Sequence, residues 1–171
     1  MILRPGFVTI EQLSEILPDI TYDKAVLKKS ASENIVAKAP GMKYRHYAPK
    51  GELTIYEGAS KSVIAAINKA ATQRAADGFK TGVIATDETY NEYKCDFVKT
   101  IGSRRDENAI AAHLFDLLRE FDREGVAYIF TESFSDNPLG QAIMNRLLKA
   151  AGYKIIDADG EGGNFEDSNR K

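Results

Sequence analysis

The sequence reads Thr81-Gly82-Val83-Ile84-Ala85-Thr86 near the middle of the chain, and this short run decides the predicted fold class. Its side chains are mostly apolar or β-branched, which predicts a mostly buried strand. Residues 61–76 before it, and the residues from Asp106 onward, instead carry apolar side chains at helical spacing. A buried strand placed between helices is typical of a parallel sheet.

Strands and helices alternate outward from this run. We therefore predict a small, Rossmann-like, three-layer α/β domain with a mostly parallel sheet and right-handed crossovers, preceded by an extended linker arm. The predicted strands are residues 53–56, 81–86, 97–101, 126–131 and 154–156, and the predicted helices are residues 61–76, a long one from 106, and 138–151. Ligands of such sheets bind outside the carboxyl ends of the strands, here residues 58–62, 86–88, 102–105 and 132–139.

The amino-acid composition limits the classes of protein to which the chain can belong. The chain has 171 residues, 43% hydrophobic and 28% charged, with a formal net charge of −2, which fits one soluble domain plus an arm. A single cysteine excludes an internal disulfide framework and fits a reducing, cytoplasmic compartment. No apolar run is long enough for a membrane span. Two histidines and one cysteine, far apart in sequence, argue against a metal site.

A short amphipathic helix is predicted near the N-terminus. Thr9 is its expected N-cap, Pro18 follows it, and its apolar stripe is Leu13, Ile16 and Leu17. A helix of about two turns cannot bury such a stripe alone, so we expect it to need a partner domain. Residues 18–37 show no clear period and are interpreted as extended linker.

The most unusual stretch is Pro40-Gly41-Met42-Lys43-Tyr44-Arg45-His46-Tyr47-Ala48-Pro49. Its prolines and glycine favour an ordered loop or extended arm. Four cations and no acid lie between residues 38 and 50, and two tyrosines alternate with an arginine and a histidine. Such a set suits a phosphate and a flat base. On spacing alone, a domain linker with packed tyrosines and solvated cations is the favoured interpretation.

Three loops of the α/β domain are further candidates. Residues 58–62 lack the glycine frame of a phosphate-binding loop, which favours a helix cap. Ser103 and Arg104 precede a helix N-terminus and form a possible anion site, unless Ser103 or Asp106 caps the helix and the arginines pair with acids. The loop from Glu132 to Pro138 is polar enough to line a small-molecule cleft, although a helix N-cap followed by proline explains much of it.

Residues 40–49 closely resemble the linker signature of the two-domain form of threonylcarbamoyl-AMP synthase. In that family such a linker joins a YrdC-type catalytic domain to a smaller C-terminal α/β domain. Ile2-Leu3-Arg4-Pro5-Gly6 is similar to the closing segment of the catalytic domain. Gly102-Ser103-Arg104 and residues 110–118 and 139–147 are similar to the C-terminal domain. The resemblance implies four segments: residues 1–17 end the catalytic domain, 18–50 are linker, 51–159 are the C-terminal domain, and 160–171 are a disordered tail.

The resemblance implies part of a nucleotidyltransferase that converts L-threonine, bicarbonate and ATP, with magnesium in the full enzyme, into threonylcarbamoyl-AMP and pyrophosphate. That product serves the modification of tRNA, which would be only an indirect partner. In the family the linker covers the catalytic cleft. The residues that would contact ATP or the adenylate here are Arg4, Lys43, Tyr44, Arg45, His46 and Tyr47.

The resemblance also sets the expected limits of this chain. The catalytic domain is expected to be missing, so we predict no catalytic residue, no firmly bound cofactor and no synthase activity in the chain alone. Its expected partner is a YrdC-type catalytic domain. Two alternatives stay open: a free-standing nucleotide-binding regulatory module built on residues 102–105 and the Glu132 loop, and a weak RNA-binding arm built on residues 38–50.

Overall fold

The protein forms a three-layer α/β domain around a five-stranded sheet. The structure is a computed structural model that describes residues 1–3, 8, 10–23, 48–134 and 138–160. A short 3-10 turn covers Tyr90–Glu92. The strands are β1 Glu52–Glu57, β2 Thr81–Ala85, β3 Phe97–Thr100, β4 Tyr128–Glu132 and β5 Ile155–Asp157, and the helices are α1 Ile10–Ser14, α2 Ser60–Ala76, α3 Glu107–Glu124 and α4 Pro138–Ala150.

The sheet has the strand order β3-β2-β4-β1-β5, and every pairing is parallel. This confirms the predicted α/β class and parallel sheet. The central pairing sets Leu53 opposite Ile129 and Ile55 opposite Thr131. Parallel strands need crossover connections, and α2, α3 and α4 supply three of them, whereas β2 and β3 are joined through the 3-10 turn alone.

Alternating side chains of the strands feed two separate cores. On β1, Ile55 packs with α3 and α4, whereas the next residue, Tyr56, packs with α2. On β2 the same alternation sends Ile84 toward α3 and α4, and Val83 toward α2. A strand turns successive side chains to opposite faces, so α2 covers one face of the sheet while α3 and α4 cover the other.

The fourth strand begins later than predicted. Sequence pattern starts it at Val126, but the structure starts it at Tyr128. Gly125 ends α3 in a left-handed conformation with φ of 68°, and the Val126 N–H bonds back to the Phe121 carbonyl. The Val126 backbone therefore closes the end of the helix and cannot begin the ladder.

The N-terminal segment makes its described contacts locally. Tyr22 forms a parallel bridge with Ile2, whose N–H donates to the Thr21 carbonyl at 2.6 Å. The predicted stripe of the short helix is uncovered by the described residues, with Ile16 79% and Leu17 55% exposed. The proposed cap Thr9 lies outside the described residues, as does the predicted tail from residue 161 onward.

Candidate functional site

Of the predicted linker, the structure describes only residues 18–23 and 48–50. Arg4 and the set Lys43, Tyr44, Arg45, His46 and Tyr47 lie outside the described residues, so their proposed contacts stay predictions. The description resumes at Ala48 and runs directly into β1. The end of the linker can therefore be located on the domain.

Two side chains of α3 hold the end of the linker. An Nη of Arg119 donates to the Ala48 carbonyl at 2.9 Å, and the Lys50 N–H donates to Oδ1 of Asp122 at 2.6 Å. Arg119 and Asp122 also pair with each other at 3.0 Å, and the Asp122 side chain is only 9% exposed. We call these four residues the linker anchor.

Gly51 continues the anchor into the sheet. A Cβ at this position would lie 2.4 Å from the Val126 carbonyl oxygen, closer than any side chain tolerates. The absence of a side chain lets the linker backbone pass against the segment that precedes β4. The point where the linker joins the domain is thus fixed by side-chain contacts and by close backbone approach.

A second candidate site lies at the carboxyl ends of the strands. The adjacent strands β1 and β4 lead to helices on opposite faces, α2 and α4, and such a divergence opens a crevice where α/β proteins bind ligands. A pocket of about 260 Å³ occupies it. We call it the switch-point pocket; Gly58, Ser60 and Val63 line one side, and Arg104, Glu132, Ser133 and Phe134 line the other.

An ion pair between a buried carboxylate and a partly exposed guanidinium forms the polar wall of the switch-point pocket. Glu132 is 3% exposed, and its two carboxylate oxygens accept hydrogen bonds from Thr89 and Arg104. Arg104 also donates to the Ser133 carbonyl at 3.1 Å, and its guanidinium lies 5.6 Å from the centre of the Phe134 ring. Arg104 supplies the positive charge that a buried carboxylate requires.

Tyr93 lies behind this pair. It is buried, and burial together with the Glu132 charge raises the pKa of its hydroxyl. The hydroxyl makes no hydrogen bond of normal geometry to any residue in the described part of the chain. The phenol thus stays protonated at neutral pH and keeps its donor beside the carboxylate.

The predicted anion site at Ser103 and Arg104 is filled from within the chain. The Ser103 hydroxyl donates to Glu88 at 2.6 Å, and the Arg104 N–H donates to both Glu88 oxygens at 3.1 Å. The Ser103 bond, followed by the Arg104 N–H, lowers the pKa of Glu88 to about 2. Asp106, rather than Ser103, caps α3 by accepting from the Ala109 N–H at 3.0 Å.

The turn before α2 is filled in the same way. Oδ2 of Asp159 accepts from the Ala59 N–H at 2.7 Å, and a Cβ on Gly58 would lie 2.8 Å from that carboxylate. A hydrogen bond from Ser62, and then the one from Ala59, lower the pKa of Asp159. The carboxylate of Asp159, which follows β5, therefore caps the turn of residues 58–62 before α2. The sequence predicted a helix cap here because residues 58–62 lack the glycine frame of a phosphate-binding loop.

The remaining reactive side chains do not join a site. Burial raises the pKa of the Cys95 thiol to about 11, so it stays an unreactive thiol at neutral pH. His113 is exposed on α3. No group of three His, Cys, Asp or Glu side chains suited to a metal ion occurs among the residues that the structure describes. None of the described helices is long and apolar enough to cross a membrane.

Sequence reasoning found the loops of the switch-point pocket but missed several residues that hold those loops. It placed Arg104 and the Glu132 loop at the same edge of the sheet, and the structure brings them into contact. It included Glu88 in the strand-end range 86–88 without a role, and it missed Thr89 and Asp159. Their only sequence signal was position directly after strands predicted to end at that edge. The linker anchor carried no signal, because Arg119 and Asp122 follow an ordinary helical pattern.

Comparison with known proteins agrees with the resemblance described in the sequence analysis. The family "Threonylcarbamoyl-AMP synthase, C-terminal domain" matches residues 8–152. The threonylcarbamoyl-AMP synthases of Bacillus subtilis (strain 168) and Pyrococcus abyssi (strain GE5 / Orsay) are each 40% identical over 156 residues, covering 91% of this chain and 43% of each relative. The chain thus spans less than half the length of these curated relatives.

Two solved structures point to the same family as the sequence comparisons. The crystal structure of P. abyssi Sua5 complexed with L-threonine matches with a TM-score of 0.76 and 39% identity, over 91% of this chain and 43% of that chain. The crystal structure of the C-terminal Sua5 domain from Pyrococcus horikoshii matches with a TM-score of 0.52 and 33% identity, over 64% of this chain and 99% of that chain. The resemblance seen in the sequence is therefore confirmed, and the chain belongs to the family of threonylcarbamoyl-AMP synthase C-terminal domains.

Proposed function

We propose that this chain acts as the C-terminal part of a threonylcarbamoyl-AMP synthase, which joins L-threonine, bicarbonate and ATP and releases pyrophosphate. The product would serve the threonylcarbamoyl-adenosine modification of tRNA. The linker, residues 18–50, would act as a lid over the catalytic cleft of a YrdC-type domain. Residues 1–171 alone would be inactive, because they match only the C-terminal domain of the family.

The linker anchor is the observation that supports the lid. A lid must be held at one end if its other residues are to return to the same place over a ligand. Arg119 and Asp122 hold Ala48 and Lys50, immediately after the predicted ATP-binding residues 43–47. The cations and rings of those residues suit a nucleotide, and a closed lid would keep water from a reactive mixed anhydride.

A chimera tests the proposal directly. In it, this chain replaces the matching C-terminal 43% of the B. subtilis relative, and pyrophosphate release is measured with ATP, threonine and bicarbonate. We expect the chimera to be active and the isolated chain to be silent. Tyr44→Ala and Arg45→Ala should each lower kcat/KM by at least about tenfold, because a loosened lid misplaces the reacting groups.

Lys69→Ala is the matched control. Lys69 is an exposed cation on α2, on the face of the sheet opposite α3, and its loss should leave turnover unchanged. A folded but inactive chimera would contradict the assignment to the synthase. An active chimera that tolerates Tyr44→Ala and Arg45→Ala would contradict the lid alone, and turnover by the isolated chain would overturn its proposed inactivity.

A further inference from the structure

We propose that the switch-point pocket binds a free α-amino acid with a small side chain. This inference concerns a ligand of the α/β domain itself and does not rest on the proposed lid or on synthase activity.

Arg104 and Glu132 present complementary charges to the same cavity. A guanidinium carries five N–H donors, and Arg104, which lines the pocket, uses one on Glu132 and one on the Ser133 carbonyl, so donors remain for a ligand. Each Glu132 oxygen has two lone pairs, and the structure gives each oxygen one hydrogen bond, from Thr89 or Arg104. A carboxylate on Arg104 and an ammonium on Glu132 would therefore both find unused capacity.

A ligand with one charge only fits this wall less well. An anion without an ammonium would approach Arg104 but would also face the buried Glu132 carboxylate, and like charges repel strongly in a partly buried site. A cation without a carboxylate would face the guanidinium in the same way. A zwitterion places its carboxylate beside the Arg104 guanidinium and its ammonium beside the Glu132 carboxylate. The four charges then alternate in sign, so each charge of the ligand has an opposite charge next to it.

Phosphate-bearing ligands are disfavoured by what already fills the backbone N–H positions around the pocket. Glu88 takes the Arg104 N–H, and Asp159 takes the Ala59 N–H ahead of α2. These are the places where α/β proteins bind phosphate oxygens. Two internal carboxylates there would repel a polyphosphate, which argues against a nucleotide in this pocket.

The volume and the lining of the switch-point pocket favour an amino acid with a small side chain. The volume of about 260 Å³ lies below the range of about 300–1,000 Å³ that is usual for larger ligands. Phe134 and Val63 offer apolar surface, and Ser60 and Ser133 offer polar contacts. The space thus suits an aliphatic or hydroxylated side chain of a few atoms.

Calorimetric titration of the whole chain tests the proposal. The probes are alanine, serine, threonine and valine, the amine-only and acid-only analogue of each, inorganic phosphate and ATP, each up to about 10 mM. We expect saturable binding of at least one amino acid, and at least about tenfold weaker binding of its two analogues. Stronger binding of ATP or phosphate, or no amino-acid binding at all, would overturn the proposal.

Three variants locate the binding. Glu132→Gln removes the charge opposite the ammonium and should weaken binding at least about tenfold. Since changing a buried carboxylate can also unfold the domain, Ser60→Trp serves as an independent test, because residue 60 is exposed and its new side chain would occupy the pocket while both charged residues stay in the chain. Arg105→Ala, a neighbouring exposed cation, is the control. Binding that survives Ser60→Trp unchanged would place the ligand elsewhere and overturn the assignment.

Discussion

The Glu88 side chain is exposed, yet it accepts hydrogen bonds from the Ser103 hydroxyl and the Arg104 N–H. These bonds join the turn after β2 to the turn before α3. They favour the ionised carboxylate, which is why its pKa falls from 4.5 to about 2. One surface carboxylate therefore fixes the loop that carries Arg104 into the switch-point pocket.

Glu88→Gln should lower the free energy of unfolding at neutral pH. It should also make that free energy fall less steeply as the pH is lowered. A carboxylate with a depressed folded pKa stabilises above its unfolded pKa of 4.5 and loses that contribution as the pH falls toward 2. Because the group is exposed, solvent screening limits the loss at pH 7 to less than about 1 kcal/mol. Urea unfolding at pH 7, and thermal unfolding between pH 7 and 2.5, measure both effects.

Glu92→Gln is the control for this prediction, since it removes an equal charge from an exposed residue in the 3-10 turn that follows. We expect it to leave the acid dependence unchanged. Equal curves for Glu88→Gln and the native chain across pH 2.5–4.5 would contradict the role given to Glu88.

At the scale of elements, Gly82 sets how closely α3 approaches the sheet. A Cβ at Gly82 on β2 would lie 2.6 Å from Cε1 and 2.9 Å from Cδ1 of Phe121, which is fully buried. Two effects of adding a methyl group oppose each other here. Alanine has the better backbone propensity, by about 0.5–1 kcal/mol, but a forced shift of a packed ring costs about 1–3 kcal/mol.

We therefore expect Gly82→Ala to destabilise the domain by about 1–2 kcal/mol, because the steric term is larger. Chemical unfolding monitored by circular dichroism measures the change. Adding Phe121→Leu should recover part of it, so the double variant should be more stable than the sum of the single losses predicts. A more stable Gly82→Ala protein would show that propensity outweighs packing at this position.

Much of this element structure was predictable, because it depends on local pattern. The apolar periods of α2 and α3, and the short buried runs of β1 and β2, predicted the class of fold and the edge of the sheet that holds the switch-point pocket. The strand order was not predictable, since the partner of Leu53 is Ile129, far along the chain, and several strands are apolar enough to pair. For the same reason Arg104 and Glu132 could be assigned to one edge but not to one ion pair.

At the scale of the whole molecule, the two candidate sites lie at opposite ends of the strands of the sheet. The linker anchor lies where β1 begins, and the switch-point pocket lies where β1 and β4 end. Six residues of β1 separate them by about 20 Å. A ligand in the pocket therefore does not touch the linker anchor, and the two proposals can be tested independently.

The linker anchor yields the prediction at this scale. In the chimera described above, Asp122→Ala removes the acceptor of the Lys50 N–H and the partner of Arg119, and Arg119→Ala removes the donor to the Ala48 carbonyl. Each should lower kcat/KM for pyrophosphate release by about tenfold, because a released linker no longer returns the lid to one position. Stability should fall by only about 1–3 kcal/mol, so turnover is measured well below the unfolding temperature.

Arg123→Ala supplies the matched control, since it removes an exposed cation from the same turn of α3 and leaves both linker contacts in place. It should keep the turnover of the unmodified chimera. If the anchor variants lose stability but keep turnover, the contacts at Ala48 and Lys50 serve folding alone, and the lid must be held by other residues. If both anchor variants lose turnover while Arg123→Ala retains it, the end of the linker at α3 is what positions the lid.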